Sequence, residues 1–366
     1  MKKRMLIGIW MMLGALLLAG GCARMQEPVV PESAGMAIGF NAGITLISEQ
    51  GTKSTLNTNA TFSSGQQFRV YGRRLGEGKN TRVFGNTGTL VEWDGTDWNY
   101  SPTSYWYWVN QSNYYDFLAV YPDPDGSGQS QRMTDEAGND IPGNLAVTKS
   151  YSLTDNYDLL MAGTRRSGAN PETRTDKVPL VFHHMLSAVK VIVTNESDAR
   201  SLTLNSIKFD NLIQRAKAKV TIDATGQPEF SWIDTQRKSD EVVVYTNSSD
   251  PDLTTSDRTY DPAAYDLFIP ADLTVAIDGS LNPTPDKLPH LIINFTPDGD
   301  SPIERAIPLT DIQKSRFATD DPLLEWEPGR KYTYNINIRL DGGVLITVIT
   351  TEWEPVAAET PGLLID

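Results

Sequence analysis

The sequence predicts an all-β protein built as two antiparallel β-sandwich domains in tandem, and three observations carry that prediction. Apolar residues recur with period two rather than 3.6, the runs are short and bounded by Gly, Pro, Asn and Asp, and no stretch of ten or more residues has a helical pattern. The strands follow one another without a repeating βα alternation, which favours sandwiches over a parallel sheet. At 366 residues the chain is long enough for two domains of ~100–200 residues each. Its 39% hydrophobic and 9% aromatic content suits ordinary cores rather than disorder.

Taken in order, Met1–Arg4 carries three positive charges, Met5–Leu18 is apolar, and Ala19-Gly20-Gly21 leads to Cys22. This is the pattern of a secretory signal peptide over residues 1–21. The apolar run is too short to span ~30 Å of hydrocarbon at ~1.5 Å per residue, so a transmembrane helix is the weaker reading. Small residues directly before a cysteine, after Leu16-Leu17-Leu18, look like a bacterial lipobox, which would make Cys22 the lipid-attachment residue. The alternative is an incidental cysteine near an ordinary cleavage site. Multiple acyl chains at one residue anchor a chain to a membrane far better than one does. Residues 22–35, with Pro28, Pro31 and Gly35, then form a lipidated tether.

Strands are expected at Met36–Ile47, Gln67–Tyr71, Tyr114–Tyr121, Asp158–Ala162, Ser187–Thr194, Leu202–Phe209, Ala218–Ile222, Glu241–Tyr245, Tyr265–Ile269, Leu291–Phe295 and Arg305–Leu309. The polar stretch Thr164–Lys177 is the best boundary, dividing an N-terminal domain at 36–174 from a C-terminal domain at 175–366. The clearest alternation is in Lys331–Leu340, where Tyr332, Tyr334, Ile336, Ile338 and Leu340 share one face. Asp341-Gly342-Gly343 is a tight hairpin, and Val344–Thr351 returns as a β-branched strand. Tyr115-Asp116-Phe117-Leu118, Tyr157-Asp158-Leu159-Leu160 and Tyr265-Asp266-Leu267-Phe268 echo one another as similar strand starts, too irregularly spaced for a solenoid.

Composition excludes several functions. There are 32 Lys+Arg against 46 Asp+Glu, a net charge of −14, with no basic cluster beyond Lys2-Lys3-Arg4, so nucleic acid is not an expected partner. Removing those three cations by cleavage takes the net charge to −17. One cysteine forms no intramolecular disulfide. Three histidines and no H-E-x-x-H, C-x-x-C, G-x-S-x-G or phosphate-loop pattern leave no catalytic residues, no metal site and no cofactor to expect. His183 and His184 enter a strand, where successive side chains point to opposite faces, so the pair cannot easily aim at one ion; backbone partners are the simpler expectation. Asp123-Pro124-Asp125-Gly126-Ser127-Gly128 begins like a calcium loop but has Thr134 where a bidentate glutamate is needed, so a turn is the better reading. Abundant carboxylates, with no pair singled out, read as a solvated surface rather than an exported hydrolase.

Aromatics crowd between Trp93 and Tyr115. They suit either sheet packing, with Trp93-Asp94-Gly95-Thr96-Asp97-Trp98 as a hairpin with cross-strand rings, or a sugar-stacking surface centred on Trp106 and Trp108.

Several strings then occur in a telling order: the lipobox at Cys22, Ile38-Gly39-Phe40-Asn41, Phe68-Arg69-Val70-Tyr71-Gly72, Tyr115 to Pro122, Asp158-Leu159-Leu160-Met161-Ala162 and Phe182-His183-His184-Met185-Leu186 into Val191. Together they resemble the fimbrillin family, the type V pilins of Bacteroidetes. The resemblance implies transthyretin-like sandwich domains and export as an outer-membrane lipoprotein held through its lipid. It also implies other fimbrial subunits as partners in a surface fimbrium, homo- or heteropolymeric, supporting adhesion. In such pilins a protease removes the lipidated N-terminus with the first strand, and a strand from the next subunit fills the groove.

Here Ile38, Phe40, Ala42 and Ile44 mark the exchangeable strand, and Lys53 in Gln50–Ser54 is the processing candidate, with Arg69, Arg73 and Arg74 as alternatives. Where the family commonly offers a basic residue between the first two strands, this chain offers lysine rather than arginine. Some part of Val344–Asp366 is a candidate donor, marked by Val344, Ile346 and Val348, and Glu354–Asp366, ending in Leu363-Leu364-Ile365, reads either as a donor segment or as a frayed tail. Two other functional readings stand beside the fimbrial subunit: a surface glycan-binding lipoprotein, and an unprocessed anchor or tip subunit.

Overall fold

The computed structural model describes residues 34–47, 53–58, 62–76, 79–85, 87–101, 106–109, 114–123, 129–131, 145–155, 157–169, 175–197, 199–237, 241–247, 252–254, 258–262, 267–270, 289–309, 326–339 and 343–352. Its strands in chain order are β1 Ala34–Ala37, β2 Phe40–Ile47, β3 Lys53–Thr58, β4 Gln67–Gly76, β5 Lys79–Arg82, β6 Thr89–Trp93, β7 Trp98–Ser101, β8 Tyr107–Val109, β9 Tyr114–Tyr121, β10 Gln129–Gln131, β11 Ala146–Ser152, β12 Leu160–Ser167 and β13 Val178–His184. There follow β14 Leu186–Asn195, β15 Leu202–Asp210, β16 Ile213–Ile222, β17 Pro228–Arg237, β18 Val242–Thr246, β19 Asp252–Leu253, β20 Thr259–Tyr260, β21 Leu267–Pro270, β22 His290–Pro297, β23 Ile303–Pro308, β24 Arg330–Ile338 and β25 Val344–Glu352. Helical structure among the described residues is confined to the 3₁₀ segment Leu153–Asp155 and a 3₁₀ position at Leu309. The all-β prediction therefore holds.

The first sheet has nine strands in the order β3-β2-β13-β12-β9-β4-β6-β7, with β5 on β4, and it curls until β7 lies against β2. Inside the curl, Phe40, Phe68, Val91, Trp98, Trp108, Tyr115, Phe117, Leu180 and Phe182 form one core. The outer face of the same sheet is also buried. Tyr71, Leu118, Val120 and Met161 pack against Val147 of β11 and Ala218, Val220 and Ile222 of β16, in a four-stranded sheet ordered β10-β11-β16-β17. Because residues of a strand alternate between faces, β9 sends Tyr115, Phe117 and Ala119 to one core and Asp116, Leu118 and Val120 to the other side. A third core lies between a sheet ordered β20-β14-β24-β25, with β21 on β14, and one ordered β18-β15-β22-β23, with β19 on β15.

The alternation read in Lys331–Leu340 is visible there, Tyr332, Tyr334, Ile336 and Ile338 each being 0–1% exposed.

Two findings depart from the sequence expectation. The sheets are not purely antiparallel: β2 runs parallel to β13, and β14 parallel to β24. Parallel neighbours need long connections, so no local turn signal announces them. In addition, β13, beyond the boundary expected at 174/175, sits inside the first sheet between β2 and β12. The β16–β17 hairpin also reaches back to that sheet. A Cβ at Gly163 of β12 would stand 2.9 Å from Pro228 and 3.0 Å from Ile222, so only glycine permits this approach.

Candidate functional site

The N-terminal segment is the feature whose seating bears most on function. Ala34 and Ala37 of β1 pair with Val109 and Tyr107 of β8. The Ile38 amide then donates to the Trp106 carbonyl at 2.7 Å, and the Tyr100 hydroxyl donates to the Ile38 carbonyl at 2.6 Å. One residue on, the Val178 amide donates to the Gly39 carbonyl at 2.8 Å. From there the chain has changed sheets, and Phe40, Asn41, Ala42, Gly43 and Ile44 pair in parallel with Val178 to Phe182. The apolar side chains are sealed: Ile38 is 0%, Phe40 1% and Ala42 2% exposed. The Phe40 ring sits among Phe117 at 5.7 Å and Phe84 and Tyr100 at 5.9 Å each. Ile44 takes its place in the pairing opposite Phe182.

The outer neighbour of β2 is β3, which ends the sheet; the β2–β3 hairpin thus hangs on the sheet through β2 alone. Lys53 is the first residue of β3, paired with Ile47, rather than part of an open loop. The alternatives are placed differently. Arg69, Arg73 and Arg74 lie in β4, which is paired with β9 on one edge and with β6 or β5 on the other. Arg73 is 2% exposed and its guanidinium donates to Asp116 at 2.7 and 2.9 Å. Arg69 Nε donates to Asp123 at 3.2 Å.

Val344, Ile346 and Val348 belong to β25, all nine residues of which pair antiparallel with β24. Val348 is fully buried and the other two pack against the third core, so in this fold the strand serves its own sandwich. Its other face shows Leu345 and Ile349 at 51% and 44% exposure. Cys22, the signal peptide and most of the tether lie outside the described residues.

The aromatic cluster is packing. Trp93 pairs with Trp98 across the predicted hairpin, ring centroids 5.3 Å apart, and the Asp94 carboxylate closes the turn by accepting from the Thr96 and Asp97 amides at 2.7 Å each. Those amides, Asp97 first and then Thr96, hold the Asp94 carboxyl below its usual range. Trp108 is 1% exposed and meets Tyr115 edge-to-face at 4.8 Å, so the two rings proposed for sugar stacking are not a pair: only Trp106, at 39%, reaches solvent.

Two carboxylates read as solvated surface are fully buried instead. Asp116 accepts from Arg73 and also from Arg165 Nε at 2.6 Å and Nη2 at 3.0 Å, while Arg165 donates onward to the carbonyls of Asp223 and Ala224 and stacks 4.0 Å over Tyr114. The Asp116 hydrogen bond holds Arg165 above the usual guanidinium range. Asp123, the first position of the calcium-like string, is shared by Arg69 and by Lys149 Nζ at 3.2 Å. No local pattern announces these partners, which lie between 26 and 54 residues away. His184 meets the Asp158 carboxylate at 2.9 Å and His183 lies against the Phe230 ring, so the two point apart. No group of three or more His, Cys, Asp or Glu suited to a metal occurs among the described residues.

The profile of a family described as fimbrillin-like matches residues 52–353. No curated protein matches the sequence. Among solved structures, a fimbrial protein from Bacteroides vulgatus is similar at 16% identity and a TM-score of 0.46, with 87% of this chain and 99% of that one covered. The tip fimbrial protein Mfa3 from Porphyromonas gingivalis, with a C-terminal truncation, is similar at 11% identity and a TM-score of 0.38, with 87% and 99% covered.

Proposed function

The chain belongs to the fimbrillin-like family and is a fimbrial subunit of the cell surface rather than an enzyme, and from that premise we propose that it is exported as a lipoprotein on Cys22 and assembles by exchange of its N-terminal strand. The observation that carries the proposal is the seating of β2. Residues 34–44 cross between two sheets, β1 on β8 and β2 on β13, with Ile38, Phe40 and Ala42 buried, and β2 has only the edge strand β3 on its other side. Ejecting Ile38 and Phe40 exposes side chains worth ~1.5–3 kcal/mol each, which a replacement strand restores together with the backbone pairing.

Lys53 is the cleavage position this seating favours. Cutting there severs an edge hairpin, whereas cutting at Arg69, Arg73 or Arg74 removes part of a central strand and the buried partners of Asp116 and Asp123. The first residue of subunits in sheared surface fibres tests the proposal. Ser54 is expected; fibres in which every subunit still begins at Cys22 would contradict it.

A further inference from the structure

The sheet ordered β10-β11-β16-β17 buries one face against the nine-stranded sheet and turns the other outward. On β16 the chain reads Arg215-Ala216-Lys217-Ala218-Lys219. Strand alternation sends both alanines inward, where they are 3% and 0% exposed, and all three cations to the outer face. Successive cations stand about 7 Å apart along the strand. The pairing with β11 is regular here and sets a hydroxyl beside each one: Ser152 opposite Arg215, Ser150 opposite Lys217 and Thr148 opposite Lys219. A cation and a hydroxyl therefore recur together at every second residue. The run shows no adjacent cations in the sequence, because the residues between them are the ones that serve the core.

This row runs against the charge of the molecule. The chain has 46 acidic residues against 32 basic ones, and several of its other surface cations are neutralised in place: Arg166 by Asp176, Lys177 by Asp97, Lys190 by Asp261 and Lys208 by Glu241. Among the described residues no carboxylate lies within ion-pair distance of Arg215 or Lys219. Described carboxylates stand at the two ends of the row, Glu229 opposite Thr221 and Asp155 accepting from the Ser152 amide. Like charges held this close repel, so the row costs the folded state a little and gains nothing within it.

On the far side of β16, Ser231 and Ile233 of β17 pair with Lys219 and Lys217. The described side chains of this face include no apolar centre of the kind a protein interface needs and no ring on which a nucleic-acid base could stack. They offer a line of positive charges with a hydrogen-bonding hydroxyl beside each, which is the complement of a linear chain of anionic groups. A sulfate ester has more acceptor oxygens than a carboxylate, so one group can take a cation from β16 and a hydroxyl from β11 together. We infer that the outer face of this sheet binds a linear sulfated polysaccharide through Arg215, Lys217 and Lys219. The surface lies on a different sheet from the first strand, so the inference does not depend on strand exchange. A site of three charges is weak alone, and repeating it along a fibre multiplies it.

Anisotropy of a labelled heparin oligosaccharide titrated with the full chain tests this. Binding is expected at about 50 mM salt and should be lost by about 500 mM, as counterion release requires. Arg215→Gln, Lys217→Gln and Lys219→Gln together should weaken it at least about tenfold, whereas Lys177→Gln, Lys190→Gln and Lys208→Gln, an equal change of net charge, should leave it within about twofold. Hyaluronan, whose anions are all carboxylates, and a single-stranded DNA of matching length should each bind at least about tenfold more weakly than heparin. A measurement that needs no variant is acetylation: bound heparin should protect Lys219 and leave Lys208 reactive. No binding at low salt, equal losses in the two triple variants, or an unprotected Lys219 would each overturn the inference. Hyaluronan or DNA bound as tightly as heparin would overturn the assignment to a sulfated polysaccharide.

Discussion

Replacing Asp116 with asparagine isolates a fully buried ion cluster. The side chain is 0% exposed and takes four donated hydrogen bonds, two from Arg73 and two from Arg165, between 2.6 and 3.0 Å. Asparagine keeps the shape but removes the charge and turns an amide group toward a guanidinium. Arg165 retains other partners in the carbonyls of Asp223 and Ala224 and the Tyr114 ring, and at 19% side-chain exposure it is partly hydrated. Arg73 is 2% exposed, so the penalty concentrates there. Breaking a buried pair from one side costs about 3–5 kcal/mol. For a domain of this size that lowers Tm by roughly 10 °C.

Urea unfolding followed by tryptophan emission measures the difference. The Arg73→Met, Asp116→Leu double variant should recover most of the loss, because the buried Arg73 charge is gone and Arg165, partly hydrated, keeps the Asp223 and Ala224 carbonyls. A cost below about 1 kcal/mol for Asp116→Asn would refute the argument that this ion cluster is desolvated.

Other outcomes follow from the same structure. Lys53→Gln should leave the fold intact and block processing, read by mass as a subunit retaining its N-terminal strand; an unchanged Ser54 terminus would place recognition elsewhere. Trp108→Ala should cost about 3–5 kcal/mol in thermal unfolding, whereas Trp106→Ala, at a partly exposed ring, should cost less than about 1.5 kcal/mol; equal costs would contradict the packing assignment. The Asp94 carboxyl is held below 3.8 by the Asp97 and Thr96 amides. A depressed folded value means the stabilisation is present above the unfolded value and is lost as pH falls through the folded one. A carbon-detected NMR titration should find Asp94 below 3.8, and a midpoint above it would show that the turn amides are not bound to the carboxylate.

How much of this was legible depends on whether the cause was local. The β24 alternation was plain because Tyr332, Tyr334, Ile336 and Ile338 share one face and the opposite face is polar. The Trp93–Trp98 hairpin was plain because its turn chemistry lies between its strands. Strand β9 was found at both ends, but its role was not: a strand buried on both faces carries a charge without breaking the apolar pattern, and the arginines that neutralise Asp116 are 43 and 49 residues away.

Strand β13 was missed although Val178, Leu180 and Phe182 alternate, because the polar residues just before it read as a boundary. Its parallel pairing with β2 spans most of the first half of the chain, and no composition signal marks it. The strand proposed for exchange, Ile38, Phe40, Ala42 and Ile44, is legible as a short apolar alternation; the rings of Phe84, Tyr100 and Phe117 around Phe40 come from separate parts of the chain, and no local signal brings them together.

The central claim is that the first strand leaves its seat on β13 when the subunit joins a fibre. Asn41 and Pro179 are register partners at that junction, and Cys22 is the chain's only native cysteine. An Asn41→Cys, Pro179→Cys variant, oxidised on the cell surface, locks the two strands together if their geometry admits a disulfide, which mass analysis of the monomer verifies. The account predicts that the locked subunit folds, reaches the surface and adds no length to fibres, and that mild reduction restores assembly. Fibres that contain the subunit with its cross-link intact would contradict it.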